Sequence, residues 1–72
     1  MKISGDTLRI CRTMKNLNQR GIAMALGISQ QEYSKWECKA YINGEQLLRF
    51  LDICGCTLEE MQRIQKLTPE NE

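Results

Sequence analysis

The chain has 72 residues, of which 42 % are apolar and 26 % charged, with a net charge of +1 and no histidine. That length fits one domain, which buries only about 60 % of its unfolded surface. The near-even charge balance excludes a strongly basic polyanion coat, and no apolar run approaches the roughly 20 residues that span a bilayer.

One device recurs along the chain and marks helix starts. A capping residue follows an apolar residue, and a second apolar residue comes four positions after the cap, as in a hydrophobic staple. Ile3-Ser4 with Leu8 predicts a first helix over 5–15. Leu17-Asn18 with Ile22 predicts a second over 19–26, ended by Gly27, which can take the left-handed conformation of a helix stop. Ile28-Ser29 with Tyr33 predicts a third over 30–37. Ile42-Asn43 with Leu47 predicts a fourth over 44–54, ended by Gly55. Cys56-Thr57 with Met61 predicts a fifth over 58–66, with Pro69 just beyond it. Ser29 with Glu32, Asn43 with Gln46 and Thr57 with Glu60 also carry the spacing of a capping box. Residues 38–42 alternate too briefly for a strand. The expectation is an all-α fold of five helices over residues 1–67 and a flexible tail over 68–72.

Helical spacing marks the apolar stripes as core. Helix one offers Leu8, Cys11 and either Met14 or Ile10. Helix two offers Ile22, Ala23 and Leu26. Helix four offers Leu47, Leu48, Leu51 and Cys54, with Phe50 and Ile53 beside them. Helix five offers Leu58, Met61, Ile64 and Leu67. Tyr33 and Trp36 share the buried side of helix three. They read as core rather than as a stacking platform for bases.

Four cysteines are many for this length. A zinc site is built from C-x2-C pairs, and only Cys54-x-Cys56 comes close, with no histidine to assist. Cys11 and Cys54 stand among apolar residues, where a thiol behaves as a small hydrophobe. The four are therefore read as reduced packing residues, and no cofactor or metal is expected. The N-terminus MKISGDTLRI lacks a continuous apolar core and a small-residue cleavage site, so a cytoplasmic location is the expectation. No histidine, paired-carboxylate motif or phosphate-cradling glycine loop supports an enzyme or a small-molecule substrate.

Charge is unevenly distributed. Residues 1–44 carry seven cationic and three anionic side chains; residues 45–72 carry three and six. Such asymmetry points to a polyanion-binding face on the first part. Helices two and three lie in that part, joined by only Gly27, Ile28 and Ser29. A connection this short suits two short helices crossing steeply, a helix-turn-helix. Counting from Gln19, the pattern holds. Ala23 is small at the fifth place, Gly27 turns the chain at the ninth, and Ile22, Ile28, Tyr33 and Trp36 close the inner faces.

With those residues in place, LRICRTMKNLNQRGIAMALGISQQEYSKWE resembles the opening of a phage-repressor/Cro-type (lambda-repressor-like) helix-turn-helix domain. INGEQLLRFLDICGCTLEEM resembles the fourth and fifth helices of that domain. Two positions depart from the family pattern. Cys38-Lys39 stands where Asn-Gly or Arg-Gly is common, and Gly21 replaces the usual acidic or polar residue. The resemblance implies double-stranded DNA as partner, bound by a small transcriptional regulator whose third helix enters the major groove. Gln30, Gln31, Ser34 and Lys35 would read bases. A glutamine amide pairs bidentately with adenine, and a lysine reaches guanine. Gln19, Arg20, Lys39 and Asn43 would hold phosphates, aided by helix N-termini. Arg12 and Glu37 match positions where an ion pair ties the first helix to the third. A two-fold dimer on a palindromic site is expected, with the acidic helices four and five as its surface. The competing reading is a protein-interaction module that keeps the fold and has lost DNA.

Overall fold

A computed structural model describes residues 2–67; the expected tail lies outside the described residues. Five helices follow one another: α1 Gly5–Met14, α2 Gln19–Leu26, α3 Gln30–Cys38, α4 Gly44–Cys54 and α5 Leu58–Leu67. Among the described residues there is no strand and no helix long and apolar enough to cross a membrane.

The staples begin helices where the spacing placed them, because each cap supplies an acceptor to otherwise unpaired N–H groups. Ser4, Asn18, Ser29 and Asn43 accept from the backbone N–H groups of Thr7, Gly21, Glu32 and Gln46. The boxes at Asn43 with Gln46 and at Thr57 with Glu60 are closed in both directions. The third is not. Ser29 accepts from Glu32, but the Glu32 carboxylate returns no bond to the Ser29 backbone and stands exposed.

Gly27 at φ 77° and Gly55 at φ 82° end α2 and α4 in the left-handed conformation. The α3 terminus differs. The helix runs through Cys38, and Lys39 leaves it in extended backbone at φ −76° and ψ 146°. With no glycine there, the chain exits straight and the loop is taken up by the N-terminus. Gly5 N–H donates to Lys39 O at 3.0 Å, and Ile42 N–H donates to Ile3 O at 2.9 Å.

The core is centred on Tyr33, Phe50, Ile3, Leu8, Ile22 and Met61, all fully buried. The Tyr33 and Phe50 rings are nearly parallel with centroids 6.5 Å apart. Several stripe residues fall outside it. Met14, Leu48 and Leu67 are mainly exposed, and Ile53 and Leu58 are partly so. On α4 the inward-facing residues are Phe50 and Cys54, with Leu47 and Leu51 at the margin. A stripe wider than the core can cover leaves its edges in solvent, and five short helices have little core to offer.

Candidate nucleic-acid interface

The α2–α3 turn sets the candidate face. Left-handed Gly27 reverses the chain, its N–H donates to Met24 O at 3.1 Å, and Ile28 N–H donates to Ala23 O at 3.0 Å. The α2 carbonyls are thereby satisfied as the chain leaves for α3. Arg49 from α4 adds a bond to Leu26 O and sets its guanidinium 5.9 Å from the Trp36 ring centroid. A cation at that helix C-terminus also meets the negative end of the dipole.

On α3 the two faces separate cleanly. Tyr33 and Trp36 are buried. Gln30, Gln31 and Lys35 are exposed, and Ser34 is half-buried. Residues 30 and 34, and 31 and 35, are one helical turn apart and so neighbour each other along the outer face. Neither glutamine amide is tied to another side chain by a hydrogen bond among the described residues.

The α3 terminus is clamped from behind. Arg12 Nε donates to Glu37 Oε2 at 2.7 Å, and Arg12 also donates to Leu17 O at 2.8 Å. Gln19 Nε2 donates to Glu37 Oε1 at 2.9 Å. The Arg12–Glu37 ion pair that the resemblance implied is thus present. Burial alone would raise the Glu37 pKa. Hydrogen bonds from Arg12 and the Gln19 amide, with the Tyr33 hydroxyl nearby, outweigh it and hold the carboxyl below its usual range. Tyr33 Oη is buried near the pair and makes no hydrogen bond to it.

The phosphate candidates divide into two groups. Gln19 and Arg20 open α2. Gln19 is half-buried with its amide already committed to Glu37, whereas Arg20 is exposed. Lys39 and Asn43 are joined through Gln46, whose Oε1 accepts from Lys39 Nζ at 3.4 Å and from Asn43 N–H at 3.3 Å. Asn43 Oδ1 caps α4 by accepting from Gln46 N–H at 2.8 Å. Its backbone N–H and side-chain oxygen are therefore both in use, which leaves its amide nitrogen. Sequence reasoning missed Gln46 as the link and Arg49 as the support. The capping-box spacing announces the Gln46–Asn43 pair, but the Gln46 contact to Lys39 and the Arg49 contact to Leu26, 23 residues away, follow from no local pattern.

Comparison of the chain with curated proteins and with solved structures gives no match. Residues 8–61, three quarters of the chain, match the helix-turn-helix family. With its α2–α3 turn and five-helix fold, the chain belongs to the lambda-repressor/Cro-like helix-turn-helix family of DNA-binding transcription regulators.

Proposed function

We propose that the protein recognises a specific double-stranded DNA site, with the outer face of α3 in the major groove. The observation that carries this reading is the pair Gln30 and Gln31. Two unencumbered amides stand on the first exposed turn of a helix held rigidly by the Gly27 turn and the Arg12–Glu37 pair. The first turn is the part that meets base edges in this docking mode. Ser34 and Lys35 extend the reading face. Arg20, Lys39, Gln19 and Asn43 supply phosphate contacts, of which the two cations carry most of the electrostatic attraction.

A single module makes few contacts, so the proposal includes a two-fold dimer on a palindromic site. Leu48, Ile53, Leu58 and Leu67 stand exposed on α4 and α5 and supply apolar surface for it.

Selection from random duplex DNA at low salt tests the reading. An enriched palindrome that Gln30→Ala or Gln31→Ala relaxes, with unchanged melting temperature, supports it. The protein-interaction reading rests on the exposed Glu32 carboxylate, an anion on the same first turn of α3 that would repel phosphate. Absence of any enriched site at low salt favours that reading instead.

A further inference from the structure

Three of the four cysteines are buried near one another. Cys11 comes from α1, Cys54 ends α4 and Cys56 precedes α5; all three are buried, and Cys38 is exposed. Left-handed Gly55 folds the chain between the last two, bringing Cys54 Sγ to 3.7 Å from Cys56 Sγ. A soft atom bonded to both sulfurs at the ~2.3 Å of a metal–thiolate bond would subtend about 107° between them. The two thiols are therefore spaced to share one bonding partner with little movement.

The surroundings select which partner. Burial pushes the Cys11 thiol up to about 12 and the Cys54 thiol up to about 11, and the neighbouring thiols add to the effect. Chemistry that proceeds through a thiolate, such as attack on a hydroperoxide, is disfavoured there. A divalent metal needs further donors. Among the described residues no group of three or more His, Cys, Asp or Glu is arranged to hold one. A centre that needs two sulfurs and yields an uncharged product meets neither obstacle.

We propose that Cys54 and Cys56 form a dithiol site for trivalent organoarsenicals of the type R–As(OH)2. Each thiol proton leaves with an arsenic-bound hydroxide as water. Two As–O bonds break, two As–S bonds form, and arsenic stays trivalent throughout. The product R–As(SR)2 is neutral, so the core gains no charge. Cys54 and Cys56 are each 6 % exposed while Cys11 is fully covered. The pair is thus less completely covered than Cys11, and the substituent R would have to leave on that side.

The test uses phenylarsine oxide on the folded, reduced chain, read by intact mass and by thiol titration. One arsenical per chain is expected, with loss of two titratable thiols. The adduct should survive excess 2-mercaptoethanol and be removed by 2,3-dimercaptopropanol. Cys38→Ala should leave it intact; Cys54→Ala and Cys56→Ala, checked as folded by circular dichroism, should weaken binding at least tenfold. Peptide mapping of the unmutated adduct to residues 54 and 56 gives the same answer should either variant fail to fold. An adduct that maps to Cys38, forms only in urea, or does not form at all overturns the proposal.

Discussion

Arg12 Nε donates to Glu37 Oε2 across 2.7 Å, joining the last turn of α1 to the last turn of α3. The side chains are 14 % and 5 % exposed, so the pair is shielded from water and its partners depend on one another. Because the Glu37 pKa is depressed, its stabilisation is complete above the ordinary glutamate value of about 4.3 and is lost as pH falls through the lower folded value. Melting temperature should therefore drop on acidification below about pH 4.3. Glu37→Gln should flatten that limb. At pH 7 the same change leaves the Arg12 charge without a counter-ion and should cost about 3 kcal/mol. Thermal melts of both proteins from pH 3 to pH 7 check the two outcomes together.

Two glycines should fail for different reasons when replaced. A Cβ on Gly5 would run into the Trp36 carbonyl and the Glu37 backbone, because the start of α1 lies directly on the end of α3. Backbone cannot yield as a side-chain tip does, so Gly5→Ala should cost about 3 kcal/mol. Gly27 has open space around it but sits at φ 77°, where a Cβ costs about 1–2 kcal/mol. Urea unfolding should rank them in that order. Equal costs would mean that the α1–α3 contact gives way.

The helix starts were legible because caps and staples are local. Ser4, Asn18, Ser29, Asn43 and Thr57 need only their own next turn to act. Gly27 was legible for the same reason. The contacts that lock the helices together were not, because Gln65 to Thr7 and Arg49 to Leu26 span 58 and 23 residues. Periodicity also overstated the core on α4 and α5. It marks which side of a helix is apolar but not how much of that side a neighbour reaches, so Leu48 and Leu67 read as buried and are not. Glu32 shows the reverse error. The spacing of a capping box was present, yet the carboxylate turned to solvent. On the candidate face, the outward placement of Gln30 and Gln31 followed from helix phase alone, whereas the engagement of Gln19 by Glu37 required the fold.

Salt dependence should separate phosphate contacts from base contacts. Arg20 on α2 and Lys39 just after α3 are exposed cations. Each of Arg20→Ala and Lys39→Ala should weaken DNA binding on every sequence alike and reduce the slope of log affinity against log salt by about 1. Lys35→Ala discriminates its two roles. A base contact gives a change confined to one position of the site, and a phosphate contact gives the uniform loss. Fluorescence anisotropy over a salt series on matched and mismatched duplexes measures all three.

Gln65 on α5 completes the cap of α1. Its Oε1 accepts from Ser4 N–H at 3.0 Å and from the Thr7 hydroxyl, which is fully buried. Gln65→Leu keeps the side chain's bulk and removes the acceptor, leaving the Ser4 N–H unpaired and the Thr7 hydroxyl with only Ser4 Oγ at 3.1 Å. A cost of about 2 kcal/mol is expected, since an unsatisfied buried donor loses its water without replacement. Gln65→Glu supplies the acceptor again and adds a negative charge at the positive end of the α1 dipole. It should match the parent at pH 7. The two donors favour its charged form, so the variant should fall below the parent in stability on acidification below about pH 4.3. If Gln65→Leu were neutral by thermal melt, the α5–α1 link would be packing alone, and the pH-dependent difference between the Glu and Gln forms would vanish with it.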